Sequence, residues 1–153
     1  MRRSPIVAAL LLLWLALSAC GDDQDPAGAK ELWDRIHAQG YNGWRRPPSY
    51  PVRTASFTLH GDQVDIFINP VMTKAFGTRL TAWPEGAIVV KDIYASGKLT
   101  HVAAMEKRKD GWFWAEWNAS GDALYSGRPS VCIGCHDNRA GYSDHTYSLE
   151  FPR

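Results

Sequence analysis

The feature that most constrains this chain is a long stretch, residues 52–118, in which apolar and polar side chains alternate. A period of two predicts β-strands with one face turned toward a core. Tight-turn sequences containing Gly interrupt the stretch, and neighbouring strands joined by such turns pair antiparallel. The turns are predicted at Gly61-Asp62, Pro84-Glu85-Gly86, Ser96-Gly97 and Lys109-Asp110-Gly111, and the strands at 52–60, 63–69, 87–95, 99–108 and 112–118.

A helix is predicted before this meander. Asp25 offers an N-cap oxygen, Pro26 suits the first helical position, and the apolar periodicity ends at Gly40. Residues 70–83 read as a short helix or an irregular crossover. The expected fold class is therefore mainly β (α+β): an antiparallel sheet with an N-terminal helix and a short helical segment near the C-terminus.

The first twenty residues have the pattern of a secretory signal: Arg2 and Arg3, an apolar run, then small residues. The ending "LSAC" resembles the lipobox of bacterial lipoproteins, which implies that Cys20 becomes the lipidated first residue. We therefore expect a signal peptide at 1–20, a polar tether at 21–29 and one folded domain at 30–153. The expected location is the periplasm of a Gram-negative bacterium, with a lipid anchor in a membrane.

The charge balance excludes one class of partner. Loss of two arginines with the signal leaves 15 basic against 16 acidic residues, and no basic cluster stands out. A nucleic-acid-binding protein normally carries a basic patch, so nucleic acid is not expected as a partner.

The segment "SVCIGCHDNR" contains Cys132 and Cys135, spaced C-x-x-C, with His136 directly after them. Structural zinc usually needs a second ligand pair, which the chain lacks, although His145 could contribute. A thioredoxin-like dithiol belongs in a βαβ unit, not after a β-meander. Covalent haem c explains more, because both cysteines would anchor the haem and His136 would ligate the iron. This interpretation also gives each of the three cysteines a role, with Cys20 assigned to lipid.

The late position of this motif favours an open iron. Small electron-transfer cytochromes c resemble one another in carrying C-x-x-C-H early, followed by a Met ligand. Here no methionine follows His136, and the upstream Met72 and Met105 are expected to fill the core. The sixth iron position is therefore expected to lack a strong ligand and to admit small molecules.

A β-meander ending in C-x-x-C-H resembles the cytochrome P-460 family, which includes hydroxylamine-oxidising enzymes and the cytochromes c′-beta. The likeness is carried by "VDIFINP", "PEGAIVVKDIY", "HVAAMEKRKDGWFWAEW" and "CIGCH", in family order. It implies a largely antiparallel fold, often as a homodimer. It also makes Lys91 the candidate for the lysine that cross-links to haem in the cytochromes P-460 proper, a link that the cytochromes c′-beta lack.

The resemblance also raises questions about the distal side of the haem. It puts His60 near the position where relatives have an apolar aromatic residue, so His60 is either a distal-pocket residue or a turn histidine. The hydroxylamine oxidases use a distal carboxylate, for which Glu106 and Glu116 are candidates. Trp112 and Trp114 are expected to pack or to wall the pocket.

Three functions follow as expectations. The first is a periplasmic mono-haem cytochrome that oxidises hydroxylamine and passes electrons to a periplasmic protein. The second is a non-enzymatic binder of nitric oxide, and the third is a six-coordinate electron carrier.

Overall fold

A computed structural model describes residues 24–76, 78–140 and 143–147. Its centre is a six-stranded sheet in which every strand pairs antiparallel with the next in sequence. The strands are β1 (Thr54–Ala55), β2 (Gln63–Ile68), β3 (Ile88–Ala95), β4 (Lys98–Arg108), β5 (Gly111–Asn118) and β6 (Ala123–Gly127). The helices are α1 (Pro26–Ala38), α2 (Pro70–Ala75) and α3 (Ser130–Ala140). The predicted fold class is confirmed.

Helix α1 begins as its sequence indicates. The Asp25 side chain accepts a hydrogen bond from the backbone N–H of Gly28 at 2.8 Å, and Pro26 occupies the first turn. Residues 26–29, the end of the predicted tether, are therefore helical. The proposed signal peptide and Cys20 lie outside the described residues.

The first predicted strand is wrong over most of its length. Only Thr54 and Ala55 of residues 52–60 pair with β2, and residues 56–60 form a loop. Strand β6 was not predicted at all. The turn at Ser96-Gly97 is as expected, since both residues have positive φ, 50° and 77°, which a two-residue type I′ hairpin requires.

The sheet has two differently covered faces. Helix α1 covers one of them, called here the α1 face, and builds a closed apolar core against it. Members of that core are Leu32 and Ile36 of the helix and Phe67, Val90, Val102, Ala104, Phe113, Ala115 and Trp117 of the sheet.

The opposite face, called here the α3 face, carries a second apolar cluster. Its members include Ile68, Met72, Trp83, Met105, Trp112 and Trp114, with Cys132 and Ile133 of α3 packed against them. Both methionines are buried there, at 2 % and 6 % exposure, which agrees with their expected role as core residues. Successive residues of a strand point to opposite faces, so Trp117 belongs to the α1 face while Trp112 and Trp114 belong to the α3 face.

No helix among the described residues combines the length and the apolar composition needed to cross a membrane.

Candidate haem site

The C-x-x-C-H motif lies in helix α3, where its spacing gives it one functional side. Residues three and four apart lie on the same face of a helix, so Cys132 shares a face with Cys135 and His136. Cys132 is half-buried, Cys135 is exposed, and the two do not form a disulfide. Their thiols are therefore presented together, one helical turn apart, beside the imidazole.

The imidazole of His136 is held in one tautomer. Its Nδ1 lies 2.6 Å from the backbone oxygen of His145, and because a carbonyl can only accept, Nδ1 must carry the hydrogen. Burial lowers the pKa of His136, so the ring stays neutral near pH 7. Nε2 is then left with its lone pair. A hydrogen bond from the other ring nitrogen is the usual way in which a metal-ligating histidine is oriented.

Aromatic rings pack around His136. The ring centroid of Trp114 lies 4.6 Å away and that of Tyr147 lies 4.9 Å away, both nearly perpendicular to the imidazole. The Tyr147 hydroxyl donates to the backbone oxygen of Cys135 at 3.1 Å. These contacts fix the direction in which the histidine points.

Segment 143–147 is anchored to the sheet through Asp144. This carboxylate accepts hydrogen bonds from the Lys107 ammonium at 2.9 Å, from the Trp83 backbone N–H at 2.8 Å and from the Trp112 indole at 3.2 Å. Asp144, His145 and Tyr147 all have positive φ, between 50° and 68°, which is strained for residues other than glycine. The strained backbone is held in place by these contacts and presents the His145 carbonyl to His136. Sequence patterns gave no signal for this support.

Beside α3, four side chains that are paired across neighbouring strands form a row on the α3 face, and this row is partly exposed. Ile66 pairs with Lys91, Lys91 with Ala103, and Ala103 with Glu116. All four are only half-buried, whereas Val90 and Val102, neighbours on the α1 face, are fully buried. Strands are about 4.8 Å apart, so Lys91 and Glu116 are separated by about 10 Å across the small Ala103. We call these four residues the cross-strand row.

The two polar members of the row have altered acid–base properties. Burial lowers the pKa of Lys91 to about 8, an effect that the charges of Glu116 and both cysteines partly offset. Burial likewise raises the pKa of Glu116, partly offset by His101 and Lys91. Among the described residues, neither side chain forms a hydrogen bond or an ion pair. The row therefore contains an amine and a carboxyl group that are available to a bound molecule.

His60 completes the group from the loop before β2. The centroid of its ring lies 6.5 Å from that of His136, with the two planes at 79°. Burial, together with the nearby Lys91 and His136, lowers the pKa of His60 to about 3, so the ring is neutral. The structure thus brings together His60, Lys91, Cys132, Cys135 and His136, which are the site residues predicted from sequence.

The two candidate carboxylates are separated. Glu116 lies on the α3 face in the cross-strand row, but Glu106 lies on the α1 face, where Arg35 and Arg108 contact it at 2.7 and 2.8 Å. Burial tends to raise the pKa of Glu106, but these two hydrogen bonds outweigh burial and lower it. Glu106 is thus excluded from the site.

A family model described as cytochrome P460 matches residues 38–148. The chain belongs to the cytochrome P460 family. The match includes the cross-strand row, the His60 loop and the C-x-x-C-H helix, and membership implies a haem cofactor. No curated protein and no solved structure gives a significant match to the chain.

The donor groups fit the haem that membership in the cytochrome P460 family implies. No cluster of three or more His, Cys, Asp or Glu side chains suited to a bare metal ion occurs among the described residues. What α3 and the sheet do provide is one neutral imidazole with an oriented Nε2, two adjacent thiols, and a half-covered row next to Trp114. A haem attached through two thioethers and ligated by an imidazole would require groups of this kind.

Proposed function

We propose that the protein is an exported, lipid-anchored cytochrome that carries one haem c and binds or oxidises small nitrogen compounds such as nitric oxide and hydroxylamine. The fixed tautomer of His136 is the observation that carries this proposal, because it leaves Nε2 free to ligate iron. The thiols of Cys132 and Cys135 would each add across a haem vinyl group, sulfur to one carbon and hydrogen to the other. No oxidant is needed for that addition.

When bound, the haem supplies an iron that coordinates the nitrogen compound and exchanges electrons with it. The protein supplies the surroundings. Trp114 and Ala103 would provide apolar contacts to the haem, His136 would ligate its iron, and Glu116 is the group suited to accept a proton from a nitrogen substrate. Its raised pKa places the carboxyl group closer to neutrality, which suits a general base.

Lys91 is the candidate for the cross-link that distinguishes the cytochromes P-460 proper. Its amine has a lowered pKa, so a larger share is neutral and nucleophilic near pH 8. Mass spectrometry of the peptide containing Lys91 tests this. A peptide joined to the haem supports the enzyme of P-460 type, and an unmodified Lys91 supports a binder of the c′-beta type.

Titration with nitric oxide and a hydroxylamine turnover assay test the function itself. Glu116→Gln should lower hydroxylamine oxidation by about 100-fold or more if Glu116 transfers the proton. The matched control is Glu106→Gln, which removes a carboxylate from the other face and should leave turnover per folded haem within about twofold. Equal losses in both variants, or no binding of either nitrogen compound, would contradict the proposal.

Turnover also requires an electron acceptor, which we propose is a periplasmic electron-transfer protein. The membrane anchor is tested separately with Cys20→Ser. This variant should appear in the soluble periplasmic fraction, whereas the unaltered protein should remain with membranes. Retention of Cys20→Ser on membranes would refute lipidation at this residue.

A further inference from the structure

The distance between the ring centroids of His60 and His136 is close to the distance expected for two imidazoles that ligate one iron from opposite sides. A metal–imidazole bond is about 2 Å long and the ligating nitrogen lies about 1 Å from the ring centroid, so imidazoles on opposite sides of one metal have centroids about 6 Å apart. The observed separation is 6.5 Å. Packed aromatic rings without anything between them are found over the same range. The distance alone therefore does not distinguish metal ligation from direct packing of the two rings.

The second observation concerns the two ring nitrogens of His60. Within residues 24–76, 78–140 and 143–147, neither of its nitrogens forms a hydrogen bond, although the side chain is only partly exposed. Neither ring nitrogen is among the buried unpaired atoms of the described residues, so both are accessible to solvent and to a ligand.

The position of His60 is fixed by the residues that follow it. Gly61 has φ +64°, and a Cβ built there would lie 2.6 Å from the backbone oxygen of Tyr94, so a side chain is not tolerated. The Asp62 N–H donates to the same Tyr94 oxygen at 2.8 Å, and the Asp62 carboxylate accepts from the Ser96 N–H at 2.8 Å. These contacts attach the end of the loop to the β3–β4 hairpin and direct His60 inward.

The residues before His60 are held much less firmly. Phe57 and Leu59 are 97 % and 92 % exposed, and the local hydrogen bonds of Thr58 and His60 to side-chain oxygens are 3.3–3.4 Å long. The imidazole could leave its position without breaking any strand pairing. A ligand on such a loop is one that an incoming molecule can displace.

We propose that His60 is the second axial ligand of the haem iron in the resting protein, and that nitrogen compounds bind by displacing it. The sixth iron position, which the sequence predicts to be open, would then be occupied by His60 at rest and become available when a stronger ligand competes. This inference rests on the proposed function, because it requires haem at Cys132, Cys135 and His136. It also gives His60 a different role from Lys91: Lys91 belongs to a strand of the sheet, whereas His60 lies on a loop that a ligand can displace.

Absorption and electron paramagnetic resonance spectra of the full-length exported holoprotein test the proposal. The unaltered ferric protein should be low-spin, and His60→Ala should be high-spin. Added imidazole should return His60→Ala to the low-spin state by occupying the vacated position. His37→Ala, which removes an imidazole on the side of the sheet covered by α1, is the matched control and should remain low-spin.

Carbon monoxide binding to the ferrous protein provides a second readout. If His60 is dissociated for a tenth of the time or less, its removal should raise apparent carbon monoxide affinity about tenfold or more. A high-spin unaltered protein would overturn the proposal, and so would a low-spin His60→Ala. Absence of covalent haem from the unaltered protein would instead refute the proposed function, so the two failures are distinguishable.

Discussion

The two faces of the sheet both contain charged side chains, but they differ in whether those side chains are paired. On the α1 face the carboxylate of Glu106 is neutralised by Arg35 and Arg108, and the apolar side chains are closed off by a helix. On the α3 face Lys91 and Glu116 are half-buried and form no hydrogen bond within the described part of the chain, and the ring centroids of His60 and His136 lie 6.5 Å apart. Burial of polar groups without partners is unfavourable, so the carboxylate of the α1 face is paired, whereas the α3 face retains unpaired polar groups that suit a ligand.

Exchanging one tryptophan on each face for alanine should give the largest effects. Trp117→Ala and Trp114→Ala each remove a buried indole, at 1 % and 6 % exposure, and each should lower the free energy of unfolding by about 3–5 kcal/mol. Denaturant titration measures that loss. Only Trp114→Ala should also change the haem spectrum, because Trp114 contacts His136. A spectral change of equal size in Trp117→Ala would remove the distinction between the faces.

Removing the Asp144 carboxylate should have the next largest effect. Asp144→Ala leaves the mostly buried Lys107 ammonium without its charge partner, which should cost about 3 kcal/mol or more. It should also shift the haem reduction potential, because the His145 carbonyl that orients His136 loses its anchor. The double variant Lys107→Met/Asp144→Leu separates the two effects: it should recover the part of the stability that the unpaired Lys107 charge costs, but not the potential. Recovery of both would show that Asp144 does not position His136.

The carboxylates give the sharpest contrast at moderate size. Glu106→Gln weakens two charged hydrogen bonds and should destabilise the protein by about 1–3 kcal/mol in denaturant titrations. Glu116→Gln removes a partly buried charge that forms no ion pair among the described residues, and it should leave stability unchanged or slightly higher. The contrast fails if Glu116→Gln is the more destabilising of the two.

The same contrast appears in the dependence on pH. Because the pKa of Glu106 is lowered on folding, its stabilisation is present above its ordinary value of about 4.5 and is lost as pH falls through the lower folded value. Because the pKa of Glu116 is raised, its contribution has the opposite sign, and stability is lost as pH rises from about 4.5 through the folded value. Each Gln variant should lack one of these two dependences when its free energy of unfolding is measured from pH 3 to pH 7. A dependence that survives in its own variant would refute the assignment.

The smallest effect concerns the helix that closes the α1 face. Asp25→Ala removes the N-cap of α1 and should destabilise the protein by about 1 kcal/mol, while Asp25→Asn should retain most of the stability. Thermal unfolding measures both. Neither substitution should alter the haem spectrum, and a spectral change would connect α1 to the site.

Sequence patterns predicted the parts of the molecule that depend on local information. Strands β3 to β5 are long runs of β-forming residues bounded by turns of the required type, and α1 has a capping residue at its start. Residues 56–60 were misread as strand because they also alternate, whereas only two residues of that segment find partners in β2. Pairing with a distant strand, not local pattern, decides this outcome.

The site was predictable to the extent that it depends on the C-x-x-C-H motif. The choice between Glu106 and Glu116 required the strand register: Glu106 pairs with Phe113 of the α1 face, whereas Glu116 follows Trp114 by two residues on the α3 face. Apolar residues on both faces of β5 hid that alternation. The supporting roles of Asp144, His145 and Tyr147 could not be predicted, because these residues act through tertiary contacts and backbone conformation.

The proposed covalent attachment of haem to the α3 face is decided by the mass of the peptide that contains Cys132, Cys135 and His136. The peptide from the exported protein should carry one haem through two thioethers, and the same peptide from Cys132→Ala/Cys135→Ala should carry none. Unmodified thiols or a disulfide in the unaltered protein would contradict the account.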